Sequence, residues 1–445
     1  LIEKHKMGGD CLNYGCVPSK ALISAAKAAH DATQAACLGV AATPIVDFAA
    51  VMDHVRGVIA GIAPHDSQER FEALGVTVVR APAVFVDRRT VESAAGSPVR
   101  VTARRIVVAT GSRPRIPDIP GLAEAPFLTN ETIFDLRERP RRLVILGGGP
   151  IGLELGQAFR RLGSEVVIVA RGRLLSREDA AAAAVVLAQL RADGVEVLSD
   201  TAVLGVERNA EGVRLQVKAD GLPLTVDGSH LLVASGRAPN VEALGLEAAG
   251  VSVGPRGVLT DRHLRSTGNR AVFAVGDVAG RDAFTHAAGA HGGLVIRRLL
   301  FAQPTNADAL VVPRVTYTDP EVASVGLTEA EAHAQHGDGV RVVTSAFADN
   351  DRARTEADTR GWAKLVLDRR GRLLAATIVG RQAGDLIQPW VLAMSAGLSP
   401  RALTAMVAPY PTRGEINRRV AGEIFTPLLF SPRTRRLVSL LKHLG

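Results

Sequence analysis

The sequence predicts an α/β protein built on parallel sheets, with a smaller α+β region at its end. Three observations carry this. Strand-length apolar runs alternate with helix-length amphipathic segments as far as about Leu300. A run of glycines joins a strand to a helix after Leu146. Past about Ala307 the texture changes to runs suited to antiparallel pairing, such as Val315-Thr316-Tyr317-Thr318 and Trp362 to Leu367, with helices expected after Gly380 and Ser399.

In chain order, Leu1-Ile2-Glu3-Lys4 reads as the end of a buried strand. The runs Ile106-Val107-Val108-Ala109, Leu231-Leu232-Val233-Ala234 and Val272-Phe273-Ala274-Val275 read as strands ending in glycine turns, the place where parallel sheets present ligand-binding loops. Between them lies a βαβ unit: strand Leu143 to Leu146, a glycine turn, a helix ending near Leu162-Gly163, and strand Glu165 to Val169. Val167 to Arg171 closes that unit as Leu1 to Lys4 would close an earlier one. By this echo the pyrophosphate loop of the first unit is expected about 20 residues ahead of Leu1, with the chain truncated at its front.

With 445 residues the chain has room for about three domains and a sizeable core. Three cysteines exclude a disulfide scaffold or a multi-cysteine zinc protein, and no metal site is expected. The longest purely apolar run, Ala180 to Ala188, is too short to span a bilayer. A net charge of +8 with only 4% aromatic residues excludes nucleic acid as a partner. A cytoplasmic location is expected.

Gly8-Gly9-Asp10-Cys11-Leu12-Asn13-Tyr14-Gly15-Cys16-Val17-Pro18-Ser19-Lys20 is the most informative stretch. On a regular helix Cys11 and Cys16 would stand too far apart for a disulfide, and Asn13 and Gly15 supply the break that closure needs. Pro18 suits the first turn of a following helix, which leaves Cys16 at the positive end of its dipole, where a thiolate is stabilised. With glycines before and Lys20 after, the stretch reads as a redox pair rather than two buried, reduced cysteines. Cys37 has no partner left and reads as a core residue.

Gly147-Gly148-Gly149-Pro150-Ile151-Gly152, flanked by strand, helix and strand, reads as a dinucleotide loop whose glycines, Gly147, Gly149 and Gly152, let the backbone approach a pyrophosphate at the helix start. Where an acid would hold the ribose of NAD, the sequence has Ala170 and Arg171, with Arg177 further on. That favours a 2'-phosphate, hence NADPH over NADH. The alternative is that these arginines form a solvated face.

On these motifs the chain resembles the pyridine nucleotide-disulfide oxidoreductases, flavoprotein reductases such as dihydrolipoamide dehydrogenase, glutathione reductase and mercuric reductase. The resemblance covers essentially the whole chain. It rests also on Ala109-Thr110-Gly111-Ser112-Arg113-Pro114, Ser235-Gly236-Arg237-Ala238-Pro239-Asn240, Val275-Gly276-Asp277 and Tyr317-Thr318-Asp319-Pro320-Glu321-Val322-Ala323. It implies FAD, a homodimer, and two Rossmann-like domains with a C-terminal α+β dimerisation domain. The implied layout is an FAD domain over residues 1–120 and 243–307, an NAD(P)H domain over 121–242, and a dimerisation domain over 308–445. By similarity Glu3 holds the FAD adenosine ribose and Asp277 the ribityl chain. Gly9, Lys20, Thr110, Gly111, Ser112 and Gly276 join the FAD set, and Glu154 and Gly236 the nucleotide set. Lys20 and Glu154 pair beside the flavin, Cys16 faces the flavin and Cys11 attacks substrate.

One departure stands out. Disulfide-reducing members end with a His-Pro-Thr stretch whose histidine, held by a following Glu, moves protons for thiols across the dimer. Here the stretch is Tyr410-Pro411-Thr412-Arg413-Gly414-Glu415, and a phenol is a poor base at neutral pH but a usable donor or metal-facing ligand. Tyr410 and Ala170-Arg171 resemble the mercuric reductase branch. That branch passes its metal through a terminal cysteine pair, whereas this sequence closes Val438-Ser439-Leu440-Leu441-Lys442-His443-Leu444-Gly445.

The leading reading is therefore an NADPH-dependent flavoenzyme reducing a small-molecule or protein disulfide, a quinone or a metal acceptor. Mercuric ion reduction is the alternative. A third reading is a nucleotide-binding or membrane-docked interaction protein without turnover. From Phe425 the tail carries Arg433, Arg435, Arg436 and Lys442 around Leu437, Val438, Leu440, Leu441 and Leu444, a short basic amphipathic helix expected to pack on its own domain more often than on a membrane.

Overall fold

The computed structural model describes residues 1–93 and 98–443. The chain forms two compact units: one of Leu1–Thr33, Thr43–Arg173 and Gly194–Leu310, the other of Gln34–Ala42, Leu174–Asp193 and the chain from Val311 onward. Leu174–Asp193, read from the sequence as part of the nucleotide segment, thus clusters with the second unit.

In the first unit, Arg142–Leu146 is central in a four-stranded parallel sheet ordered His230–Val233, Arg142–Leu146, Glu165–Val169, Glu196–Leu198. After Arg142 its residues are apolar without alternation because both faces are covered, and Leu143, Val144 and Ile145 are fully buried. On one face the antiparallel strands Ala202–Asn209, Gly212–Ala219 and Leu222–Gly228 pack Val213, Leu215 and Val217 against Val144, Leu146 and Val169. The βαβ unit is as the periodicity indicates, with its helix at Pro150–Arg161.

The strands Ile106–Val108 and Val272–Ala274 pair in parallel. Each ends one residue short of its expected span, because the chain turns at once into Gly111 and Gly276, both with positive φ. Two turns at the carboxyl ends of adjacent parallel strands must meet, and Ser112 Oγ donates to Asp277 Oδ2 at 2.5 Å. Leu1 to Glu3 pairs in parallel with the segment at Val79, through Glu3 N–H to Val79 O at 3.0 Å and Val79 N–H to Leu1 O at 2.8 Å.

The second unit is an antiparallel sheet in the order Arg314–Thr316, Glu321–Gly326, Leu373–Gly380, Trp362–Leu367, Arg341–Ala346. Its core gathers Phe347, Leu365, Ile378, Trp390, Ile416 and Val420. The Trp390 indole N–H satisfies its hydrogen bond on Asn417 Oδ1 at 2.7 Å. Helix Ala180–Ala192 packs on Glu321–Gly326 and Leu373–Gly380. Lys364, 8% exposed, donates to Asp179 at 2.9 Å and Glu329 at 2.6 Å.

Two expectations are corrected. Cys37 is exposed in the short turn Ala35–Leu38, where the chain leaves its long helix, instead of lying in a core. The tail does form a helix, Pro432–Leu441, but no residue of it is buried. Leu444 lies outside the described residues. No helix among the described residues is long and apolar enough to cross a membrane.

Helix Thr285–Phe301 supplies a buried histidine that pins the Gly276 turn: His291, 1% exposed, accepts from the Gly276 N–H on Nδ1 at 3.2 Å. Burial lowers its pKa, with the Arg281 charge adding to the effect and Asp282 opposing it. An imidazole held below its ordinary value stays neutral when folded, while the unfolded chain takes up the proton near pH 6.5. His291 therefore contributes stability that is complete above that pH and is lost as pH falls toward the folded value, at up to about 1.4 kcal/mol per pH unit. Denaturant unfolding of the native chain should lose stability more steeply between about pH 7 and about pH 5 than His291→Gln. Parallel slopes for the two proteins would show that the buried ring does not titrate in this way.

Candidate active site

The site in the first unit begins with a helix that stops and restarts. Gly8 caps the short helix Gly9–Asn13 at φ 82°, where an added Cβ would lie 2.3 Å from Leu12 Cδ2, so only glycine fits. Asn13 Nδ2 donates back to Met7 O at 2.9 Å and Gly9 O at 2.8 Å, which ends the helix. After Tyr14 the chain restarts as Cys16–Gln34. A Cβ at Gly15 would lie 3.0 Å from Asp10 O and 3.2 Å from Cys11 Cα, so the break is closely packed. Cys11 thus sits on the short helix and Cys16 opens the long one, where unpaired N–H groups favour negative charge.

The two thiols divide one proton unequally. Cys16 is lowered to about 6, first by the hydrogen bond from the Cys11 thiol, then by the Thr285 hydroxyl and the Lys20 charge, with burial and Glu154 opposing. Cys11 is pushed well above the ordinary thiol range by the same bond and by burial. The Cys16 Sγ to Thr285 Oγ1 distance is 3.3 Å. Both cysteines are free thiols in this structure. Lys20, one turn after Cys16, donates to Glu154 Oε2 at 2.9 Å, and Glu154 is 6% exposed on helix Pro150–Arg161.

Arg237 ties this stretch to the two strand-end turns. It bonds Asp10 at 3.1 Å, Ser112 Oγ at 2.7 Å and Ser112 O at 2.9 Å, and stands 3.9 Å from Asp277. Thr110 Oγ1 donates to Asn240 O at 2.7 Å, and Asn240 N–H to Gly111 O at 2.9 Å. Asn130 Nδ2 donates to Tyr14 O at 3.1 Å. Glu3 accepts from the His5 N–H at 2.8 Å and is half-buried. Sequence reasoning passed over Thr285, Asp10, Asn130 and His291 as site residues. Arg237 lay inside a motif already singled out and so had a signal, whereas Thr285 meets Cys16 only through the fold.

In the dinucleotide loop, a Cβ at Gly147 would meet Ala234 O at 2.2 Å and one at Gly152 would meet Gly147 O at 2.2 Å. These two glycines are demanded by the turn and by helix–strand packing. Gly149, the helix cap, has nothing within 4 Å of such a Cβ, and neither do Gly9, Gly111 or Gly236. A side chain there would occupy open space beside backbone N–H groups, the space a diphosphate or flavin needs. The residues therefore fit a dinucleotide at both places. Ala170, 3% exposed, follows strand Glu165–Val169, and Arg171 beyond it is exposed. Arg177 is exposed in the second unit.

Tyr410 also lies in the second unit, 71% exposed. Its hydroxyl donates to Asp351 Oδ2 at 3.1 Å, and that carboxylate raises the phenol above its ordinary range. Glu415, expected to hold the residue at this place, instead accepts from the Thr412 N–H at 3.4 Å in the turn before the helix Glu415–Glu423.

Residues 1–292 match the family described as pyridine nucleotide-disulphide oxidoreductase, and residues 312–420 match the dimerisation domain of the same family. A mercuric reductase of Streptomyces lividans is 38% identical over 432 residues, covering 96% of this chain and 90% of that protein. A dihydrolipoyl dehydrogenase of Geobacillus stearothermophilus is 34% identical over 428 residues, covering 95% and 90%. The HOCl-induced flavoprotein disulfide reductase RclA of Escherichia coli, solved as a Cu(II) complex, superposes with TM-score 0.83 at 28% identity over 95% of this chain and 93% of that one. LpdA of Mycobacterium tuberculosis gives 0.87 at 26% identity, covering 95% and 93%. With both matches spanning nearly the whole chain, and a cysteine pair, strand-end turns and glycine loop suited to a flavin and a nicotinamide nucleotide, the chain belongs to the pyridine nucleotide-disulphide oxidoreductase family.

Proposed function

We propose that the chain is an NADPH-dependent flavoprotein whose Cys11–Cys16 pair passes electrons to a disulfide, quinone or metal acceptor. Disulfide oxidoreduction with a flavin and a nicotinamide cofactor is the chemistry of its family. The observation carrying this reading is the placement of the pair: Cys16 opens helix Cys16–Gln34 with its Sγ 3.3 Å from Thr285 Oγ1, Lys20 stands one turn on, and the neighbouring Cys11 thiol lowers Cys16 further.

Bound FAD supplies two-electron transfer between the nicotinamide and the cysteine pair. Glu3, Gly9, Thr110, Gly111, Ser112, Gly276 and Asp277 are assigned to its binding, and Gly147, Gly149, Gly152, Ala170, Arg171, Arg177 and Gly236 to that of the nucleotide. In the reduced pair, the Cys16 thiolate is held by Thr285 and Lys20, while Cys11 keeps the proton. When Cys11 attacks an acceptor disulfide, its proton has to leave toward the departing thiol. Cys16 then attacks Cys11 Sγ, closing the Cys11–Cys16 bond and releasing the second group as a thiolate, so two electrons and the one proton of the pair leave, and the second proton comes from solvent. Tyr410, held by Asp351, is assigned as a catalytic residue that donates a hydrogen bond to the acceptor, since a phenol raised above its ordinary range keeps its proton at neutral pH.

The proposed boundaries are an FAD domain of residues 1–120 and 243–307, a nucleotide domain of 121–242 and a dimerisation domain of 308–445. The dimerisation-domain match supports a homodimer. Exposed Leu392, Leu398 and Val407 in that segment support it too. A cytoplasmic location is proposed on the reducing environment such a dithiol requires. Mercuric ion reduction is a second reading, favoured by the identity with the Streptomyces lividans protein.

If Cys16 is the thiolate facing the flavin, Cys16→Ser abolishes the long-wavelength absorbance of the two-electron-reduced protein, whereas Cys11→Ser retains or increases it. Identical spectra for the two variants would mean the roles are wrongly assigned. Arg171→Glu should lower the ratio of kcat/KM for NADPH to that for NADH by roughly ten- to a hundredfold, the worth of one charge-assisted hydrogen bond. An unchanged ratio would place the 2'-phosphate away from Arg171.

A further inference from the structure

The apolar side of the tail helix Pro432–Leu441 is open to solvent. Leu437, Leu440 and Leu441 are 54%, 63% and 52% exposed, and Leu428, Leu429 and Phe430 in the turn before them are similarly open. At 100° per residue Leu437, Val438, Leu440 and Leu441 share one arc of the helix and Arg435, Arg436 and Lys442 the opposite one, while Arg433 lies on the apolar side one turn before Leu437. From Phe425 to His443 the sequence has no Asp or Glu. The helix start is fixed: Ser431 Oγ accepts from the Thr434 N–H at 3.2 Å, and Thr434 Oγ1 donates to Leu428 O at 2.7 Å.

The sheet end from which the tail departs is basic as well. Arg341 donates to Ile424 O at 2.5 Å and faces Leu367 in the sheet register. The turn after Leu367 exposes Arg369, Arg370 and Arg372, and Arg369 lies beside Gly339. Of the carboxylates on these segments, Asp368 is engaged by Arg372, and Asp338 and Glu423 leave the cations well in excess. The matched dimerisation segment ends at residue 420, so the tail lies beyond it.

We propose that this tail docks the protein on an anionic bilayer. The leucine and phenylalanine side chains enter the boundary between headgroups and acyl chains, and the arginines and Lys442 meet lipid phosphates. Apolar burial together with several cations at a negatively charged leaflet is the combination that holds a peripheral helix.

The test is co-sedimentation of the FAD-loaded full chain with vesicles of phosphatidylcholine alone or with about 30% phosphatidylglycerol. Binding is expected only to the anionic vesicles, with release at high salt. Leu437→Glu with Leu440→Glu, and separately Arg435→Glu with Arg436→Glu, should each weaken partitioning at least roughly tenfold while leaving NADPH turnover intact. No binding, equal binding to both vesicle types, or binding unaffected by either variant overturns the proposal. So does a fall in oligomeric mass of the leucine variant in sedimentation without lipid, which would make this face a contact between copies.

Discussion

The site depends on one broken helix. Because the chain stops at Asn13 and restarts at Cys16, two cysteines close in sequence occupy different electrostatic environments. One sits in a single turn with no useful dipole; the other faces the first unpaired N–H groups of a helix running to Gln34. Shared between such thiols, a proton goes to Cys11, and the charge left on Cys16 is where Lys20 and Thr285 can meet it. Gly8 holds a left-handed φ of 82° against Leu12, and Gly15 is closely packed on Asp10 and Cys11, so the break is set by the backbone at these two glycines.

Other parts of the first unit hold that break in place. Arg237 spans Asp10, Ser112 and Asp277, coupling the cysteine stretch to the ends of two parallel strands. His291 fixes the Gly276 turn from behind through an uncharged ring. Glu154, buried on the helix after the glycine loop, holds Lys20 without displacing its charge from the cysteine. Burying that carboxylate is tolerable only because it is paired, since a lone buried charge costs several kcal/mol.

Much of this was legible in residue order. The alternation of strand and helix, the glycine loop at Gly147 and the break near Gly15 follow from periodicity and from residues with special backbone freedom, which act locally. What escaped was whatever depends on distant segments meeting. Thr285 bonds Cys16 because helix Thr285–Phe301 begins near the cysteines, and no local pattern marks that hydroxyl. Tyr410 takes Asp351 as its partner, 59 residues earlier in the chain, while Glu415 accepts from the Thr412 N–H. Cys37, taken for a core residue from its chemistry, is exposed because its turn lies where a long helix ends. The amphipathic tail was readable, but whether anything covered its leucines required the fold.

The central claim is that the Cys11 thiol, more than any other group, holds Cys16 as a thiolate. The most direct measurement is the pH dependence of alkylation of the reduced protein in a Cys37→Ala background. One fast-reacting thiol should titrate near 6. Cys11→Ala should move that titration upward by more than Thr285→Val does, because the bond from Cys11 is the larger of the two influences. A single titration near the free-thiol value of about 8.5, unmoved by Cys11→Ala, would contradict the account.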